Sequence, residues 1–168
     1  IAVLSIIFTF AETNLPMDNK NITILLVDDE PDILEIVGYN LSSEGYNVIT
    51  ASDGKEAVKL AKKRKPQLII LDVMMPEMDG VEACEQIRKI SDLDTIITFF
   101  TARGEDYSML AGFDAGADDY ITKPIKPKVL VSKVNALLRR IVEDSTNDNV
   151  VKIGDLIINR EEYKILKG

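Results

Sequence analysis

Short, continuously apolar runs alternate with longer stretches in which apolar residues recur every three or four positions, and this pattern fills residues 22–140. Ile22–Val27, Tyr46–Ala51, Leu68–Leu71, Thr95–Phe100 and the shorter Asp119–Ile121 read as strands. Runs without polar alternation predict strands buried on both faces. Between the first two, Ile33, Leu34, Ile36, Val37 and Leu41 form the stripe of a helix over about 32–43, behind Pro31 and ended by Gly45. Ser52 or Asp53 caps a second helix reaching about Lys65, with Ala57, Val58, Leu60 and Ala61 inward and Pro66 closing it. After the Met74–Gly80 loop a third helix runs to about Ile90. A weaker, glycine-containing helix covers about 106–115, and the last helix covers about 128–140. Strands alternating with helices predict an α/β fold: a doubly wound, five-stranded parallel sheet of flavodoxin-like type, order 2-1-3-4-5.

That order decides what the strand ends can do. Ligands of parallel sheets bind at the carboxyl ends of the strands. Asp28 and Asp29 end the first strand and Asp72 ends the third, its neighbour. Three carboxylates in one pocket cannot all stay ionised without a counter-charge, and a hard, oxygen-seeking cation such as Mg2+ supplies one. Thr101 falls beside them at the end of strand 4, and Lys123 falls on the far rim, at the end of strand 5. A cation with carboxylates, a hydroxyl and an ammonium group describes a phosphoryl site. Asp72 stands alone at its strand end, so it is the candidate nucleophile for an aspartyl phosphate. Each residue has a plainer reading: Asp28 as a helix cap, Asp29–Asp32 as an acidic helix start, Thr101 as a turn residue, Lys123 before Pro124 as a surface bend. Their joint placement favours the site.

Composition narrows the chemistry. A net charge of −8 excludes nucleic-acid binding by electrostatics alone. The single cysteine, Cys84, excludes an intrachain disulfide framework and suits a reducing, cytoplasmic setting. With no histidine in the chain, any phosphohistidine donor must be another protein. Residues 1–20 read as a leader, non-native or disordered; the apolar stretch 1–10 is too short for a membrane span, which needs roughly 20 residues, and no basic region precedes it. No membrane partner is expected. Residues 142–149 are polar and read as a flexible linker, and 150–168 carry strand-like runs around a Gly-Asp turn.

The segments Leu26-Val-Asp-Asp-Glu30, Leu71-Asp-Val-Met-Met-Pro-Glu-Met-Asp-Gly80, Thr101-Ala102 and Asp118-Asp-Tyr-Ile-Thr-Lys-Pro124 together resemble the receiver domain of bacterial two-component response regulators, over residues 21–141. The resemblance implies that Asp72 is the phosphoacceptor, that Asp28, Asp29, Asp72 and the Met74 carbonyl hold Mg2+ or Mn2+, and that Thr101, Lys123 and the Ala102 amide contact the phosphoryl group. Tyr120 matches the aromatic that turns inward when Thr101 is drawn to the phosphate; its plainer reading is a half-buried strand aromatic. A sensor histidine kinase is the implied partner, chosen through the first helix and the loop after strand 5. The chain is not expected to be an enzyme beyond slow self-phosphorylation from small donors and self-dephosphorylation. Met74 and Arg103, two residues beyond Asp72 and Thr101, orient water poorly, so a long-lived phosphorylated state is expected.

Ile153–Tyr163 resembles the opening strands of a winged-helix DNA-binding effector domain of the OmpR/PhoB-like type, truncated here, through which alone the parent would bind DNA. Such regulators form homodimers on phosphorylation through the glycine-containing helix, strand 5 and the last helix. Asp119 with Lys133, and Asp118 with Arg140, are candidate cross-subunit pairs, while Met109 and Val129 stand where a third pair is usual. The alternatives are an Mg2+-dependent phosphohydrolase with an aspartyl nucleophile, a flavodoxin-like cofactor carrier, and a receiver that signals without an effector or only as a scaffold. The hydrolase needs its two acids two positions apart after strand 1, whereas Asp28 and Asp29 are adjacent. The carrier needs a Ser/Thr/Gly-rich loop where this chain has Val27–Pro31.

Overall fold

In the computed structural model of the chain, residues 19–102 and 114–139 are described with their side chains, and 140–153, 156–159 and 164–167 by their backbone. Strands β1 (Thr23–Val27), β2 (Asn47–Ala51), β3 (Leu68–Leu71), β4 (Ile96–Ala102) and β5 (Asp119–Lys123) form one parallel sheet in the order β2-β1-β3-β4-β5. Every residue of β3 and all of β1 after Thr23 is buried, because helices cover both faces. Helices α1 (Pro31–Ser43) and α4 (Pro127–Asn149) pack Val37, Leu41, Leu130 and Val134 against Ile24, Leu26 and Ile70. Helices α2 (Gly54–Arg64) and α3 (Gly80–Arg88) pack Ala57, Ala61, Ala83 and Ile87 against Leu25, Ile69 and Phe99.

The helix ends follow local chemistry. Asp53 and Asp79 cap α2 and α3, accepting from the backbone N–H of Glu56 and Glu82, each at 2.8 Å. Helix α1 has Glu30 at its N-cap without a side-chain bond. Asp28 therefore does not cap it; its Oδ1 accepts from Glu30 N at 3.0 Å and fixes the turn entering the helix. Gly38, inside α1, has no atom within 4 Å of where a Cβ would stand. Gly38→Ala is therefore expected to stabilise the fold by about 0.5–1 kcal/mol through backbone entropy, and urea unfolding checks it.

Three elements run longer than the sequence pattern predicts. β4 continues through Thr101 and Ala102, and β5 through Lys123, because the register pairs Thr101 with Thr122 and Ala102 with Lys123. Helix α4 continues to Asn149, through the stretch expected as a flexible linker. No glycine or proline interrupts 128–149, so nothing in the backbone chemistry stops it. A second, antiparallel sheet follows, β6 (Val150–Ile153), β7 (Leu156–Asn159) and β8 (Lys164–Lys167). Residues 1–18 of the predicted leader and most of the glycine-containing helix, with Arg103 and Met109, lie outside the described residues, as does the side chain of Arg140. Among the described residues no helix is long and apolar enough to cross a membrane.

Candidate functional site

Register brings the acids together. Val27 pairs with Leu71, so the next residues, Asp28 and Asp72, leave the sheet side by side. Their amides stay in the ladder: Asp28 N donates to Ala51 O at 3.2 Å and Asp72 N to Val27 O at 2.9 Å. Asp28 is fully buried, Asp72 nearly so, and Asp29 is exposed. Each offers an oxygen, and the three lie within 4.8 Å of one another, a set able to hold a metal ion.

Lys123 is not on the far rim. Its Nζ stands 2.6 Å from Asp28 Oδ2, 3.3 Å from Asp72 Oδ2 and 3.6 Å from Glu30 Oε1. The charge density of the acids draws the long stem across the strand ends, and Nζ sits 5.0 Å from the centroid of the Phe100 ring. Burial alone would lower the lysine pKa, but the Asp28 hydrogen bond and the charges of Asp72 and Asp28 outweigh it and raise the value. Burial pushes the Asp72 carboxyl up to about 6, with the Asp28 charge adding to the rise; Lys123 and the Met74 N–H, 3.3 Å from Oδ1, oppose it. Asp72 is thus a carboxylate reluctant to carry its charge without added positive charge.

The pocket above these groups has a volume of about 300 Å³ and is lined by Asp29, Glu30, Asp72, Met74, Ala102 and Lys123. Thr101 is buried beside it in β4. Sequence reasoning missed Glu30 as a pocket wall, since an acid before Pro31 is fully explained as a helix start. It also left Gly80 without a role. A Cβ there would stand 2.1 Å from Asp72 O, so the glycine lets α3 begin against the backbone of the candidate nucleophile. A glycine closing a loop motif gives by itself no sign of such an approach.

Tyr120 is buried, its ring 5.3 Å from that of Phe99 and tilted by 48°. On the expected dimer face, Asp118 is engaged within the chain: its Oδ2 receives Arg88 NH2 at 2.7 Å and Ile97 N at 2.8 Å. Asp119 Oδ1 accepts from Tyr120 N at 2.7 Å, and Lys133 Nζ donates to Tyr120 O at 3.2 Å. Val129 is half exposed.

Residues 24–135 match the family model of the response regulator receiver domain. The chain is 45% identical over 152 residues to the alkaline phosphatase synthesis transcriptional regulatory protein PhoP of Bacillus subtilis (strain 168), covering 86% of this chain and 63% of that protein. It thus spans less than two thirds of that relative's length. Among solved structures, the Vibrio cholerae chemotaxis protein CheY4 superposes with a TM-score of 0.65 at 34% identity, covering 68% of this chain and 97% of that one. The Thermotoga maritima OmpR/PhoB homolog DrrB superposes with a TM-score of 0.62 at 32% identity, covering 87% of this chain and 63% of that one. These relatives are response and transcription regulators rather than enzymes of metabolism. The chain belongs to the receiver-domain family of two-component response regulators.

Proposed function

We propose that Asp72 accepts a phosphoryl group from a phosphohistidine of a sensor histidine kinase. The observation that carries this reading is the clustering of Asp28, Asp29 and Asp72 oxygens within 4.8 Å, with the Lys123 ammonium among them. An Asp72 oxygen attacks phosphorus, the P–N bond breaks and the imidazole of the kinase leaves. A divalent cation, Mg2+ or in its place Mn2+, fits an all-oxygen donor set; Asp28, Asp29, Asp72 and the Met74 carbonyl would hold it, where it supplies positive charge for the phosphate oxygens. Lys123 exchanges its carboxylate contacts for a phosphate oxygen, and the Thr101 hydroxyl and Ala102 amide donate to the others. Helix α1 turns half-exposed Ile36 and strongly exposed Tyr39 outward, apolar surface suited to a kinase.

Phosphorylation then draws Thr101 toward the phosphate with Tyr120 held inward, and changes the face that carries Asp118, Asp119, Val129 and Lys133. Met109 and Arg140 would complete that face. It serves homodimerisation, and a winged-helix domain beginning in the second sheet passes the signal to DNA in the cytoplasm. The Arg88–Asp118 pair makes Asp119 and Lys133 the better-supported cross-subunit partners. The adjacent acids after β1 do not favour a phosphohydrolase. Acetyl phosphate with Mg2+ should add one phosphoryl group per chain, and a chelator should prevent it. Continuous turnover of a phosphoester without a stable labelled chain would contradict the reading.

A further inference from the structure

We propose that Met74 is a sulfoxidation site: hydrogen peroxide converts its thioether, at the mouth of the phosphoryl pocket, to a sulfoxide that shortens the life of the phosphorylated domain. This rests on Asp72 being the phosphoacceptor.

Three consecutive features single out Met74. It is 64% exposed, whereas Met75 and Met78, from the same loop, are each 8% exposed and turned into the core under α2 and α3. The other described sulfur, in Cys84, is fully buried against Ala115 O, and burial pushes its thiol up to about 11, so it offers peroxide little thiolate. Finally, Met74 lines the same pocket as Asp72, Ala102 and Lys123, and its N–H donates to Asp72 Oδ1 at 3.3 Å. A large apolar side chain is thus left in water at the edge of a cavity whose other walls include four charged side chains.

The chemistry is a two-electron oxidation. The sulfur lone pair attacks one peroxide oxygen, the O–O bond breaks, and after proton transfer water leaves; the sulfur is oxidised and the peroxide reduced. A thioether is only a weak acceptor. The sulfoxide oxygen is a strong one, placed where water reaches the pocket. It accepts a hydrogen bond from a water and turns that water's lone pair toward phosphorus. The water oxygen then forms the new P–O bond, the bond from phosphorus to Asp72 breaks, and the protons pass to solvent. Of the polar pocket walls, Asp29, Asp72 and Lys123 are already committed to the cation and the phosphate in the proposed state, and Glu30 faces the Lys123 ammonium at 3.6 Å. Methionine sulfoxide reductases return the thioether, so the effect is reversible.

The test uses the full chain as wild type, Met74→Leu and Met74→Gln, the last a near-isostere of the sulfoxide. Each is treated with hydrogen peroxide, cleared with catalase and phosphorylated with acetyl phosphate and Mg2+. After donor removal, intact mass follows loss of the phosphoryl group. Peptide mass should place the first added oxygen on Met74 ahead of Met75 and Met78. Decay should accelerate roughly threefold or more in the oxidised wild type, and in Met74→Gln without peroxide. It should return on reduction, and in Met74→Leu peroxide should leave it unchanged. Oxygen on Met74 with an unchanged decay rate would overturn the proposal. So would oxidation beginning at Met75 or Met78, or a Met74→Leu response equal to that of wild type. Untreated wild type that gains no phosphoryl group would defeat the phosphoacceptor reading itself.

Discussion

In metal-free buffer, raising the pH from below 3.8 through about 6 should cost the fold about 3 kcal/mol at Asp72 alone. Burial, with the Asp28 charge, raises the folded-state pKa above the unfolded value, so the folded protein holds this proton more tightly. The stabilising contribution is therefore complete below 3.8 and lost as the pH rises through about 6. The chain carries many other carboxylates, so the quantity to measure is the difference between wild type and Asp72→Asn, which cannot ionise. Mg2+ competes with that proton and binds the folded state, so it should stabilise by mass action. Its effect on the melting temperature should be clearly larger at pH 7 than at pH 5, where Asp72 is mostly protonated. Equal shifts at both values, or none, would contradict a formed carboxylate site. Asp28→Ala removes repulsion but also the nearest partner of the Lys123 ammonium, 2.6 Å away, and it leaves Glu30 N without its acceptor. In metal-free protein that variant should be less stable than wild type.

Gly80→Ala should be the most damaging single-methyl change at the site. The added Cβ would stand 2.1 Å from Asp72 O and 2.9 Å from both Asp72 C and Val73 Cα. All three are backbone atoms, so no side chain can move aside; either α3 or the end of β3 must shift. The Gly80 N–H donates to Val73 O at 2.9 Å, and that contact would go with the shift. A loss of about 3 kcal/mol or more in urea unfolding is expected, together with slower phosphorylation, because the Asp72 backbone is the part displaced. A variant as stable as wild type would mean that the α3–β3 approach is looser than described. Gly38→Ala, on the open side of α1, is the internal control: the same methyl group meets nothing there.

Much of this was legible in the residues because each feature has a local chemical cause. Unbroken apolar runs such as Leu68–Leu71 read as strands buried on both faces, and alternation with helices pointed to the common sheet order that makes Asp28 meet Asp72; the edge strand β2 departs from this, with only Ala51 buried. The position of Lys123 was not legible. Strand order places its backbone on the far side of β4, and only the length of its stem and the pull of two buried carboxylates bring Nζ between them. The Arg88–Asp118 pair was hidden for a similar reason: Arg88 is distant in sequence and reaches Asp118 only through the fold. Gly80 and Glu30 stayed hidden because the first acts through a hydrogen atom's worth of space and the second already had a sufficient reason to be acidic. The end of α4 was not legible because polar composition does not distinguish a solvated helix from a loop, although no glycine or proline there breaks a helix.

The central claim is that Asp72 carries the phosphoryl group. Intact mass, followed by borohydride reduction and peptide mapping, tests it most directly. Wild-type protein incubated with acetyl phosphate and Mg2+ should gain one phosphoryl group, and reduction should mark Asp72 and no other residue. Asp72→Asn, which keeps the size of the side chain but replaces the nucleophilic carboxylate with an amide, should gain none. Labelling of Asp72→Asn at wild-type stoichiometry, or a reduction mark on Asp28 or Asp29, would contradict the account.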